Sequence, residues 1–335
     1  MNAIRVGIIG VSGYTGLELV KMIIKHPVFE LSYLANSEGE STIEELHPSL
    51  VGVCNLHVEK ADAKVASSRC DLVFLALPHK TAMAFVAPLM ENGTKVVDLS
   101  ADYRLKLDTY EMFYTRHTDI ANLINNSVYG LPELYRSKLK SAKLVANPGC
   151  FPTSALLGIL PFMKYRHSFT PIIIDAKTGV SGAGKKLSQN THFVHVNDNL
   201  FAYSPLSHRH APEIAEKLGV VISEVCFVPH LCPLTRGMLS SIYIQVEGEF
   251  DPIEVAREFY KEEPFVRVLN QPVDMKNVAG TNFCDIYAKK QGSTLFISSA
   301  IDNLQRGASS QAIVNANLMM GLEETLGVPN IAYVP

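Results

Sequence analysis

The chain has 335 residues, 47% of them hydrophobic and 19% charged, with a formal net charge of −3. That length exceeds a usual single domain and predicts two, while the apolar share excludes a disordered chain. The near-neutral balance leaves no electrostatic footprint for nucleic acid, so a small molecule is the expected partner.

The first residues run straight into a strand pattern and lack the basic segment, long apolar core and cleavage site of a signal peptide. No apolar run is long enough to span a bilayer. A cytoplasmic location is expected. Cys54, Cys70, Cys150, Cys226, Cys232 and Cys284 are scattered without C-x-x-C pairs, so free thiols are expected, with neither a disulfide framework nor a metal site.

Ile4 to Ile9 is a nearly continuous apolar run, the pattern of a buried parallel strand. It leads directly into Gly10-Val11-Ser12-Gly13-Tyr14-Thr15-Gly16, after which Leu17, Val20 and Ile24 recur at helical intervals. Strand, glycine turn and helix in that order predict a dinucleotide site, because the glycines let the main chain approach a pyrophosphate resting on the helix N-terminus. A second strand covers Phe29 to Ala35 and ends at Asn36-Ser37-Glu38-Gly39. No acidic residue that could hold the 2′-hydroxyl of NAD stands there before Glu38, which points to NADP, with Ser37 either near the phosphate or closing a turn.

A further strand at Asp71 to Leu77 ends at Pro78-His79-Lys80, and a helix is expected from Thr81 to Met90. Lys95 to Leu99 forms the next strand, followed by Ser100-Ala101-Asp102-Tyr103-Arg104. Ligands gather at the carboxyl ends of such strands, so Arg104 is either a bidentate clamp for phosphate or carboxylate or a surface ion-pair partner. Alternating strands and helices predict a doubly wound α/β sheet.

Asn147-Pro148-Gly149-Cys150-Phe151-Pro152-Thr153 then carries a cysteine into an apolar helix. Pro148 and Gly149 break the strand Leu144 to Ala146, and Pro152 suits a first helical turn. A cysteine at a helix N-terminus gains thiolate character from unpaired N–H groups and the helix dipole, so Cys150 is either a nucleophile or a small buried apolar side chain.

Gly179 to Lys185 matches a phosphate loop except that Lys186 replaces the Mg²⁺-binding Ser or Thr; a loop presenting backbone N–H groups and Ser181 to a substrate is expected instead of a nucleotide triphosphatase. Ser207-His208-Arg209-His210-Ala211-Pro212-Glu213-Ile214 brings two histidines and a carboxylate to the start of a short helix that Gly219 ends, a combination suited to an acid/base and substrate contacts. From Glu224 onward the strands lengthen and alternate with period two, which predicts a mixed α+β domain with Thr235-Arg236-Gly237 in a loop entering one strand. Arg236 either holds an anionic group or completes a turn. After Asp302-Asn303-Leu304-Gln305-Arg306-Gly307, a last helix places Val314, Leu318 and Leu322 on one face.

The glycine turn, Leu99 to Arg104, Asn147 to Thr153, His208 to Ile214 and Asp302-Asn303-Leu304 occur in the order found in N-acetyl-gamma-glutamyl-phosphate reductases. The chain resembles that family over essentially its whole length, departing at Phe151 and at Gln305-Arg306 without losing a chemical group. The resemblance implies a Rossmann NADP-binding domain over 1–148 and 305–335, and an α+β catalytic and oligomerisation domain, related to semialdehyde dehydrogenases, over 149–304. It implies reduction of an acyl phosphate by NADPH through a Cys150 thioester at the junction of the domains, in a homo-oligomer. His210 is favoured over His208 as acid/base. Arg104, Ser181, Arg236 and Glu213 are expected at the substrate, with Gly10, Ser12, Gly13, Tyr14, Thr15, Gly16, Ser37, Pro78, Gly182 and Asn315 at the cofactor. Two other readings stay open: a reductase of a carrier-linked aminoadipyl phosphate, and a catalytically silent dinucleotide sensor.

Overall fold

The computed structural model describes residues 3–118 and 121–334. The chain forms two compact units, Met1–Pro148 with Ala308–Pro329, and Gly149–Gly307 with Asn330–Pro335. The return to the first unit thus falls at Ala308 rather than at 305. The terminal segment joins the second unit, where the Tyr333 N–H donates to Ala279 O at 3.3 Å.

In the first unit, β1 (Ile4–Ile9), β2 (Phe29–Asn36), β3 (Ser41–Thr42), β4 (His57–Lys60), β5 (Leu72–Leu75), β6 (Lys95–Asp98), β7 (Val128–Tyr129) and β8 (Leu144–Ala146) form one eight-stranded sheet in the order β3-β4-β2-β1-β5-β6-β8-β7. Apart from the antiparallel β3–β4 pair, every pairing is parallel. The helices Ala63–Arg69 and Met83–Glu91 pack together on one face; Tyr14–Ile23, Pro132–Leu139 and Ser309–Met319 pack together on the other. Both faces are covered, which is why β5 and the inner part of β1 are continuous apolar runs rather than alternating ones.

The last helix departs from the expected one-sided pattern. It is buried on every side from Ser309 to Met319, and Leu322 lies beyond its end. Gly321, at φ +73°, closes it with a paired cap: Leu322 N–H to Asn317 O at 2.8 Å and Gly321 N–H to Leu318 O at 3.2 Å.

The second unit holds β9 (Ile172–Gly179), β10 (Phe201–Ala202), β11 (Val225–Cys232), β12 (Met238–Gln245), β13 (Val266–Val268), β14 (Cys284–Gln291) and β15 (Thr294–Ile301), in the order β10-β11-β9-β12-β15-β14-β13. Parallel pairs (β9–β11, β13–β14) and antiparallel pairs mix in this sheet. Helices Cys150–Ile159, Ala211–Leu218 and Pro252–Phe259 lie against it. Ile173 and Tyr243 remain 45% and 40% exposed, as the alternation of a sheet covered on one face requires.

Candidate active site

The Cys150 helix is fastened at three depths. At its start, the Glu213 carboxylate, itself buried, accepts the Gly149 N–H at 2.9 Å, and Gly149 O accepts both the main-chain N–H and the hydroxyl of Thr153 at 3.0 and 2.9 Å. One turn on, the buried Ser154 hydroxyl meets those of Ser240 on β12 and Ser299 on β15 at 2.9 and 3.2 Å. Further along, Tyr260 donates its hydroxyl to Leu157 O at 2.6 Å. Because Thr153 is the first residue to bond back into the helix and Pro152 has no N–H, the N–H groups of Cys150 and Phe151 stay outside the helical ladder.

Phe151 brings the histidines to this helix start. Its ring meets those of His208 and His210 edge-on, with centroids 5.7 and 5.8 Å apart, and that of Phe227 at 5.1 Å. Tyr203 completes the cage at 5.6 Å from His208. His208 Nδ1 accepts the main-chain N–H of His210 at 3.1 Å, which leaves the ring proton on Nε2. Burial, reinforced by the Arg209 charge, pushes His208 down to about 4, so its imidazole is neutral at neutral pH. Burial and then the charge of a Cys150 thiolate push the Tyr203 phenol up.

Asp302 and Asn303 form the hub behind the cysteine, a role the sequence reading left unassigned. Asp302 is fully buried. It pairs with Arg236 Nε at 2.9 Å and accepts N–H groups from Gly280, Leu304 and Gln305 at 2.7 to 3.0 Å. Asn303 accepts the Gly237 N–H at 2.7 Å and donates to Ser181 Oγ at 3.0 Å. A Cβ on Gly307 would lie 2.7 Å from that of Cys150, so only glycine lets this strand-to-helix segment pass the cysteine. The signal in sequence was Asp-Asn with a glycine four residues later, but Arg236, Gly237 and Ser181, which it joins, lie more than sixty residues away in chain order.

Several expected substrate contacts are committed within the fold. Arg236 neutralises Asp302, because a buried carboxylate needs a compensating charge. Glu213 is turned inward onto Gly149. The loop after β9 does not offer its N–H groups as expected: those of Gly179, Val180 and Ser181 donate to Gly237 O, Leu234 O and Thr235 O at 2.8 to 3.1 Å. Gly179 serves this packing, since a Cβ there would meet Arg236 main-chain atoms at 2.7 Å. Gly182 is exposed. Arg104 is no surface residue; it is buried, with Nε donating to Asn147 O and an Nη to Leu99 O, both at 2.7 Å.

The glycine turn fits a dinucleotide. Gly10 takes φ +103°, and a Cβ there would lie 2.3 Å from Ala76 O; one on Gly16 would lie 2.5 Å from Gly10 O. Gly13 instead faces open space, with no atom nearer than 3.8 Å to its would-be Cβ. The N–H groups of Tyr14, Thr15 and Gly16 precede the first bond back, Leu17 N–H to Gly13 O at 3.0 Å, leaving donors for a phosphate. Asn36 ends β2, donating to Ser12 Oγ at 3.1 Å and accepting N–H groups of Glu38 and Gly39 at 2.9 and 2.6 Å. Ser37 and Pro78 are exposed. Asn315 is completely buried, its amide donating to Gly130 O at 3.0 Å and Asn147 Oδ1 at 2.9 Å; that amide ties the last helix to the ends of β7 and β8.

All six cysteines are free, no group of three or more metal-ligating side chains occurs among the described residues, and no helix there is long and apolar enough to cross a membrane.

A family model described as semialdehyde dehydrogenase, NAD binding domain, matches residues 5–142, and one described as semialdehyde dehydrogenase, dimerisation domain, matches 150–303. The chain belongs to the semialdehyde dehydrogenase family. Its fold is that of aspartate semialdehyde dehydrogenase II from Vibrio cholerae complexed with ASA (TM-score 0.73, 14% identity, 96% of this chain and 99% of that one). The Candida albicans aspartate semialdehyde dehydrogenase with NADP gives 0.68 at 16% identity, over 95% and 98%. Within the family, the chain stands among the N-acetyl-gamma-glutamyl-phosphate reductases: it is 68% identical to that of Sulfurimonas denitrificans over 100% of both chains, and 57% identical to that of Wolinella succinogenes, also over 100% of both.

Proposed function

We propose that this chain reduces N-acetyl-L-glutamyl 5-phosphate to N-acetyl-L-glutamate 5-semialdehyde and phosphate with NADPH, in arginine biosynthesis. The observation that carries this reading is Cys150 in the first turn of an anchored helix, with the rings of His208 and His210 both packed on the adjacent Phe151. The Cys150 thiolate attacks the acyl carbon, and the tetrahedral oxyanion is held by the N–H groups of Cys150 and Phe151, an interaction of a type worth about 3 kcal/mol. Its collapse breaks the bond to phosphate and leaves a thioester on Sγ. NADPH, when held at the turn of Gly10, Gly13 and Gly16, would supply the hydride for this thioester. The C–S bond then breaks, returning the thiolate and releasing the aldehyde. Arg104, aimed by Leu99 O and Asn147 O, takes the substrate phosphate.

His210 carries the protons in this reading. His208, neutral and with its proton on Nε2, is a hydrogen-bond donor to substrate and too weak a base to take a proton from the thiol. His210→Asn is expected to lower kcat by about 10²-fold or more and to remove one limb of its pH profile. His208→Asn should chiefly raise the substrate KM and keep the profile. Equal losses and identical profiles in the two variants would reject this assignment.

NADP rather than NAD fits Asn36 at the end of β2, the position where a carboxylate commonly holds the 2′-hydroxyl of NAD. Self-association of two copies through the open face of the second sheet, around Ile173 and Tyr243, fits the dimerisation-domain match, and a cytoplasmic location belongs to the same reading. The deciding assay is phosphate-dependent reduction of NADP with N-acetylglutamate semialdehyde, set beside aspartate semialdehyde and carrier-linked aminoadipate semialdehyde. Turnover is expected with the first alone; preference for either of the others overturns the substrate.

A further inference from the structure

The turn that leaves β5 is held in an unfavourable shape by a side chain with no part in the chemistry above. Lys80 has φ +75°, a left-handed conformation that costs an L-residue with a Cβ and persists only when its surroundings impose it. The constraint comes from the next strand's loop. Asp102 Oδ1 accepts the Lys80 N–H at 2.8 Å and the Tyr110 hydroxyl at 2.8 Å, while the Ala101 N–H donates to His79 Nδ1 at 2.9 Å. His117 Nε2 lies 2.9 Å from Asp102 O, and its ring meets Tyr110 edge-on at 5.1 Å.

Asp102 is fully buried, and its second carboxylate oxygen, Oδ2, has no hydrogen-bond partner. A buried carboxylate satisfied on one side only is an expensive way to stabilise a fold. The turn it holds follows Ala76, whose N–H donates to Ile9 O at 2.8 Å and whose O would lie 2.3 Å from a Cβ on Gly10. Pro78 and Lys80 therefore stand exposed beside the glycine turn, where a pyrophosphate would rest.

We propose that Asp102 is a positioning residue for the dinucleotide: by pinning the Lys80 N–H it presents the Pro78–Thr81 turn, pre-formed, to bound NADPH. The inference rests on the NADPH reading above. It makes Asp102 a determinant of cofactor affinity that touches neither cofactor nor substrate, since pre-formed binding surfaces avoid the ordering cost of association.

The test is the NADPH dissociation constant of the purified full chain, read by fluorescence titration, beside kcat and the substrate KM. Asp102→Ala is expected to weaken NADPH about tenfold with substrate KM unchanged. Asp102→Asn, which keeps an acceptor for Lys80, should stay within about threefold of wild type. Adding Lys80→Gly to Asp102→Ala should recover part of the loss, because glycine adopts φ +75° without penalty. Should Asp102→Ala fail to fold, Tyr110→Phe, which removes one of the two donors to Oδ1, serves instead, with a smaller weakening of NADPH expected. Unchanged NADPH affinity in a folded Asp102→Ala or Tyr110→Phe protein overturns the inference, as does an Asp102→Asn loss equal to that of alanine. A wild-type chain that does not bind NADPH overturns the underlying reading, and the inference with it.

Discussion

Cys150→Ser is expected to lower turnover by at least about 10³-fold and leave NADP binding as it is. The reason lies in the helix start. Ser at this position keeps the side-chain volume and the fastening by Glu213, Thr153 and Ser154, so the fold is not disturbed. What is lost is an anionic nucleophile: a hydroxyl is far less acidic than a thiol, and two N–H groups with a helix dipole do not make an alkoxide at neutral pH. The glycine turn is a separate feature of the first unit, built on Gly10, Gly13 and Gly16, and its affinity for NADP does not depend on Sγ. Phosphate-dependent NADP reduction measured beside an NADP titration checks both halves. A variant that retains turnover removes Cys150 as nucleophile; one that loses both turnover and NADP binding points to a role in structure.

Asp302→Ala is expected to cost about 3–5 kcal/mol of stability, the penalty for stripping one member from a buried ion pair. Arg236 would keep its charge on a side chain only 15% exposed, and the N–H groups of Gly280, Leu304 and Gln305 would each lose an acceptor. Because the chain has two units, unfolding should be followed by a probe confined to the second, since a two-unit protein need not melt in one step. The loss should be non-additive with Arg236→Ala: once the guanidinium is absent, removing the carboxylate leaves no buried cation behind. Additive losses in that double-mutant cycle would mean that the 2.9 Å pair contributes little beyond the hydrogen bonds around it.

Local chemistry explains what was legible in advance. Strand, glycine turn and helix at the N-terminus came from an apolar run followed by glycines, and the structure gives those glycines separate tasks: positive φ at Gly10, close packing at Gly16, open approach at Gly13. Cys150 at a helix start followed from Pro148, Gly149 and Pro152 alone, and the end of the His-Arg-His helix from Gly219, at φ +70°. Several groups expected at a ligand are also bonded within the fold. Arg236, Glu213, Asn315 and the backbone of the loop after β9 carry groups that bind anions or amides equally well, and in each case the partner is another part of the same chain: Asp302, Gly149, Asn147 and Leu234.

By itself, then, the sequence determined the alternation of strands and helices, the parallel sheet of the first unit, the place of Cys150 in the first turn of its helix, and the His208–His210 segment leading into another. These depend on periodicity, proline, glycine and side-chain chemistry over a dozen residues or fewer. Only the tertiary structure decided how these polar groups are bonded inside the fold: it buried His208 so that its imidazole stays neutral and set its proton on Nε2 by placing Nδ1 against the His210 N–H, buried Asp302 under Arg236, and set Asp102 against the Lys80 N–H. A hydrogen-bonding group buried by folding must find a partner or lose free energy, and for Asp302 and Asn315 that partner lies far along the chain, beyond any pattern a local reading can see.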